Sequence, residues 1–128
     1  MPDLLFIYGT LHPDRAPAAI APTARLLKPF DGGSNRATIQ ARLYDLGAYP
    51  GVVLSDEPAD IVSGELFILP DDPAVLARLD DYEDFRRFDP ANSLFLRQRV
   101  LATLQSGPDA STEIACWVYT YNLLPLGL

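Results

Sequence analysis

Twelve prolines and eight glycines are scattered through this chain of 128 residues, and between them they leave room for one helix of ordinary length. Proline inside a helix removes a hydrogen bond and clashes with the preceding turn. The apolar residues therefore come in short runs. "LLFIY", Leu4 to Tyr8, reads as a buried strand. "ATIQARLYDL" sets Ile39, Ala41 and Leu43 against Gln40 and Arg42, the period of a half-buried strand. "GAYPG" breaks it, "VVL" resumes, and "DIVSGELFIL" follows with Gly64 reading as a bulge. "LFLRQRVLATL" and "EIACWVYTY" supply two more strands. "PAAIAPTARLL" is rich in alanine, but Pro17 and Pro22 restrict any helix there to a short, kinked one. Only "DDPAVLARLDDYED" makes a convincing helix, with Asp72 placed to cap it and Pro73 at its first position. Five or six strands, one good helix and room for a second indicate a small α+β domain. Its sheet is expected to be mixed and curled or barrel-like, with the helix packed against it. Nothing resembles a linker or repeat, so residues 1–128 read as a single domain.

That helix contains a misplaced acid. At about 100° per residue, Val75, Leu76, Leu79 and Tyr82 share one arc, and Glu83 falls on it too. Asp80, Asp81 and Asp84 fall outside the arc and are expected to face solvent. A carboxylate on an apolar face is costly unless it is paired, protonated or set at the wall of a cavity. Burial would raise its pKa toward the range a general base needs. The competing reading is structural: Glu83 lies near the helix end and could pair with Arg78, Arg86 or Arg97.

A second feature is "YGT" directly after the first strand. Gly9 lets the backbone approach a ligand without a side chain in the way, and successive N–H groups in such a turn can form an anion-binding nest. A plain turn explains the same residues. His12, in a turn beside Pro13, is expected to face solvent and is assigned no role. Trp117, Tyr119 and Tyr121 share a strand face and read as core. Arg97 and Arg99 share another and are expected in solvent. Cys116 reads as a small buried hydrophobe.

Charge narrows the classes of function. The net charge is −7 and the few basic residues are dispersed, which argues against nucleic acid and against an anionic membrane surface. One His and one Cys argue against a dedicated His/Cys metal site. A lone cysteine and an N-terminal stretch without a basic, signal-like region point to a reducing, cytoplasmic setting.

The motifs "FIYGTL", "RLYDLGAYPGVV", "VSGELF", "LDDYED" and "WVYTYN" occur in that order. Together they resemble the gamma-glutamylcyclotransferase-like family, and within it the small gamma-glutamylamine cyclotransferase-like branch. The resemblance runs from about Leu4 to Asn122. It implies a small mixed α/β fold around a barrel-like sheet, with a cavity inside or at its mouth. It implies that Tyr8, Gly9, Thr10 and Leu11 form a substrate loop whose backbone holds a glutamyl group, and that Glu83 is the catalytic acid/base. Tyr119 becomes a pocket-lining candidate. The implied reaction closes the α-amino group of a gamma-glutamyl amine or amide onto its side-chain carbonyl, giving 5-oxoproline and free amine without a cofactor or metal. Two residues depart from the family pattern. Asp84 stands where a glycine commonly follows the glutamate, so the helix exit is open to question. Phe95 stands shortly before Arg97 where a tyrosine is frequent, which removes a hydroxyl. An alternative from another class is a non-catalytic member of the fold that binds a small acidic metabolite.

Overall fold

The computed structural model describes residues 3–9, 11–30, 35–47, 50–105 and 110–122. Seven strands and two α-helices follow one another: β1 (Leu4–Ile7), α1 (Ala21–Ala24), β2 (Lys28–Pro29), β3 (Arg36–Asp45), β4 (Pro50–Leu54), β5 (Ile61–Ile68), α2 (Pro73–Tyr82), β6 (Phe95–Leu104) and β7 (Glu113–Tyr121). The upper count of the five or six strands expected is reached, the one good helix is present, and the second is a short helix of four residues. The seventh strand, β2, has two residues, too few to leave a periodic signal.

The sheet runs β2-β5-β1-β7-β6-β3-β4, and a further pairing of β5 with β3 closes five of these strands into a barrel. All neighbours are antiparallel except β1 and β7, which run parallel with Leu5 opposite Trp117. A mixed barrel of this kind matches the architecture anticipated from the sequence.

Closure explains why β1 is an unbroken apolar run. Leu4 and Phe6 join Ala37, Ile39, Leu66 and Val118 in one core. Leu5 and Ile7 point the other way into a second core with Leu11, Leu79, Phe95 and Tyr119. A strand buried on both faces needs no alternation. On β3, Ile39 and Ala41 are buried as expected, but Leu43 is exposed. It lies where β3 has left the barrel and pairs only with β4.

Gly64 is not a bulge. The register is regular through it, with Ala37 opposite Gly64 and Thr38 opposite Ser63. A Cβ there would lie 2.6 Å from the Ile7 carbonyl oxygen and 2.6 Å from Phe6 Cζ. The glycine makes room for the Phe6 ring of the neighbouring strand.

Helix α2 packs on the second core through Val75 and Leu79, each worth about 1.5–3 kcal/mol when fully buried. Its start follows the sequence: Asp72 accepts a hydrogen bond from the Ala74 N–H at 3.0 Å, and Pro73 opens the first turn. Among the described residues, no helix is long and apolar enough to cross a membrane.

Candidate active site

The end of α2 determines where Glu83 sits. Phe85 N–H donates to the Asp80 carbonyl at 2.8 Å and Asp84 N–H to the Asp81 carbonyl at 3.1 Å, the two bonds of a Schellman stop. That stop needs a left-handed residue, and Asp84 supplies it with φ 56°. Aspartate is one of the few residues with a side chain that visits this region readily. The helix exit is therefore the one a glycine would make, and Glu83 occupies the capping position just before the chain turns away.

At the other end of the site, β1 gives way to a turn in which His12 N–H donates to the Gly9 carbonyl at 3.3 Å. Gly9 lies against Pro50, so that an added Cβ would come within 3.2 Å of Pro50 Cγ. No acceptor among the described residues takes the Gly9 or Leu11 N–H. Thr10, the fourth loop residue expected to bind substrate, lies outside the described residues.

Between the two lies a cavity of about 360 Å³. Tyr8, Gly9, Leu11, Glu83 and Tyr119 all line it. These are the described residues that the sequence singled out, and they come from β1 and its loop, the end of α2, and β7. Phe6, Ile7 and Phe95 complete much of the floor, so the wall is largely apolar. In this setting Glu83 forms no hydrogen bond or ion pair through its carboxylate among the described residues. Desolvation pushes its pKa up from 4.5 to about 7. The carbonyl end of α2 acts in the same direction.

The tyrosines are fixed rather than free. Tyr8 Oη donates to the Tyr119 carbonyl oxygen at 2.6 Å, and Tyr119 Oη donates to Asp80 Oδ1 at 2.7 Å. Burial first, then the negative charge of Glu83, raises the pKa of Tyr8. Burial first, then Asp80, raises that of Tyr119. Both phenols stay protonated and serve as walls and struts.

Three expectations are corrected here. Asp80 does not face solvent: it is 8% exposed and accepts from Arg97 Nε at 2.8 Å and Nη2 at 3.3 Å. Arg97 is largely shielded rather than solvated, its side chain 11% exposed, with its guanidinium 4.3 Å from the Trp117 ring centroid and 5.5 Å from that of Phe85. It pairs with Asp80, not with Glu83. On the helical wheel Asp80 sits about 40° beyond Leu76, so the edge of the apolar arc was the only local hint. His12 is also buried, at 9% exposure. Its Nδ1 accepts the Asp14 N–H at 3.1 Å and its Nε2 lies 3.0 Å from Glu65 Oε2, so the ring ties the turn after β1 to β5. Cys116 is buried as anticipated, and burial raises its pKa to about 12. Among the described residues no cluster of three or more His, Cys, Asp or Glu is arranged to hold a metal.

A profile of the family described as "Gamma-glutamyl cyclotransferase, AIG2-like" matches residues 5–126. The chain belongs to this family. A Vibrio cholerae protein provisionally named a gamma-glutamylcyclotransferase is 38% identical over 84 residues, which is 66% of this chain and 64% of that protein. Among solved structures, YkqA from Bacillus subtilis superposes with a TM-score of 0.66 at 21% identity. The match covers 95% of this chain and 36% of YkqA. An AIG2-like protein from Mus musculus superposes with a TM-score of 0.60 at 20% identity, over 97% of this chain and 80% of that one. The chain thus spans under two thirds of the Vibrio cholerae protein and about a third of YkqA. At these identities the superpositions establish the AIG2-like fold.

Proposed function

We propose that residues 1–128 form a single-domain cytoplasmic cyclotransferase that converts a gamma-glutamyl amine or amide to 5-oxoproline and free amine. The observation that carries this reading is one carboxyl with a pKa of about 7 and no partner among the described residues, sharing a small cavity with the Gly9 backbone, in a chain of this family. A cavity of about 360 Å³ suits a small molecule rather than a polymer.

The substrate carries its own nucleophile, the α-amino group, and its own electrophile, the γ-carbonyl. Free in water it closes slowly, because the amine is protonated and the chain is flexible. Confinement against the Tyr8, Gly9, Thr10 and Leu11 loop folds it into the ring-closing conformer and removes that entropy in advance. Glu83 takes a proton from the α-ammonium, and the freed nitrogen attacks the γ-carbonyl carbon. The loop's N–H groups stabilise the charge that develops on the carbonyl oxygen. Collapse of this adduct breaks the bond to the leaving nitrogen, to which Glu83 returns a proton. The α-ammonium gives up two protons in all and the leaving nitrogen collects two, so the amine departs as its ammonium ion and no water is consumed. Tyr119 holds Tyr8, and through Asp80 it is bonded to the helix that carries Glu83.

Incubation with several gamma-glutamyl amines, with chromatographic detection of 5-oxoproline, tests the reading. Product from the parent and none from Glu83→Gln is the expected result. Ligand-induced thermal stabilisation with no product from any substrate would instead identify a binding protein and overturn it.

A further inference from the structure

The cavity also constrains which amine can leave. Glu83 is the only charged residue among the described residues that line it. Arg97 is spent on Asp80 and stacked on Trp117, and it does not line the cavity. Two of the three wall phenols, Tyr8 and Tyr119, are committed as donors, to the Tyr119 carbonyl and to Asp80. The polar side chains left on the described wall are the Glu83 carboxyl, which the glutamyl moiety occupies together with the Gly9 backbone, and Tyr82, which adds a hydroxyl but neither a cation nor a carboxylate.

Exposure locates the way out. Phe6, Ile7, Leu11, Phe95 and Tyr119 are buried and form the floor. Pro17 and Leu94 are exposed, Leu94 at 39%, and Pro50 is half-buried. These three line the same cavity and mark its mouth. Leu94 is held there firmly: its N–H donates to the Asp84 carbonyl at 3.1 Å and its carbonyl accepts the Asn122 N–H at 3.0 Å. A leaving group directed outward from Glu83 therefore passes a collar of proline and leucine.

We infer that this site selects gamma-glutamyl amides whose leaving amine is apolar and uncharged beyond the bond that breaks, such as an alkyl or aryl amine. The inference rests on the cyclotransferase reading and specifies its substrate class. A leaving group ending in a carboxylate meets no cation among the described residues of the collar and loses water without compensation. The net charge of −7 opposes its approach at longer range. A leaving group ending in an ammonium gains from that field, but it finds no acid at the collar among the described residues.

Binding and turnover separate the two ideas. Affinities for gamma-glutamyl butylamide, gamma-glutamyl anilide, gamma-glutamylglycine, gamma-glutamyl-ε-lysine and the gamma-glutamyl derivative of 1,4-diaminobutane are measured by calorimetry on Glu83→Gln, which does not consume them. The two apolar amides are expected to bind about tenfold or more tightly than the three charged ones. Leu94→Lys, at an exposed position, is expected to narrow the gap to gamma-glutamylglycine severalfold. Equal or tighter binding of the charged compounds would overturn the inference, as would a preference unmoved by Leu94→Lys. Release of 5-oxoproline by the parent is scored separately. Selective binding with no product would sink cyclisation and leave the selectivity standing.

Discussion

Asp80 and Glu83 are acids one turn apart on the same helix, and the fold treats them in opposite ways. Asp80 is buried with both oxygens engaged by Arg97 and one of them also by Tyr119. Glu83 reaches a cavity where its carboxylate has no hydrogen-bond or ion-pair partner among the described residues. The first is a tether that joins α2 to β6 and β7 through Arg97 and Tyr119. The second is an acid whose pKa desolvation raises to about 7. An acid with that pKa and no partner among the described residues can give and take protons at physiological pH. The same carboxyl chemistry thus serves as a strut at Asp80 and is free for the proposed acid/base role at Glu83, according to what surrounds it.

The largest expected effect comes from removing the proposed acid/base. Glu83→Gln should lower 5-oxoproline formation by about a thousandfold while far-UV circular dichroism stays native. Breaking the strut follows closely. Asp80→Ala leaves Arg97 buried without its partner and should cost about 3–4 kcal/mol in urea unfolding. Asp80→Asn with Arg97→Met should recover part of that loss. If Asp80→Ala were as stable as the parent, the contrast between the two acids would fail.

The pH dependence distinguishes them further. Below pH 4.5 Glu83 is protonated whether the chain is folded or unfolded, so its substitution changes little there. Between pH 4.5 and about 7 the unfolded chain ionises this group while the folded one resists, and stability falls as pH rises. Glu83→Gln escapes that penalty. It should exceed the parent by about 2 kcal/mol at pH 8, after allowance for solvent at the cavity, and match it at pH 4. The parent's kcat/KM should rise with pH through the same region. The smallest effect concerns the helix exit. Asp84→Gly relieves the left-handed backbone at φ 56° and should stabilise by about 0.5 kcal/mol or less, with turnover unchanged because Glu83 keeps its place.

Much of the site was legible in the sequence because it depends on local rules. Periodicity put Glu83 on the buried arc, a glycine after an apolar strand marked the loop, and Asp72-Pro73 marked the start of the helix. What escaped depends on distant partners. Asp80 is buried because Arg97 and Tyr119 arrive from two strands far along the chain, and no helical wheel contains them. His12 is buried because Glu65 on β5 accepts its ring, whereas its neighbours in sequence suggested solvent. Gly64 is explained by the Phe6 ring across the sheet, not by a break in its own strand. Leu43 follows the alternation faithfully, but its strand runs past the barrel it was expected to fill.

The parallel pairing of β1 with β7 has a consequence for folding. Gly9 and Tyr119 are far apart in sequence, yet each helps to wall the same hollow. Until that long-range pairing forms, the acid and the glycine turn enclose nothing between them. The hollow therefore closes only with the docking of β7, and a chain in which that strand is displaced should be unable to confine a ligand.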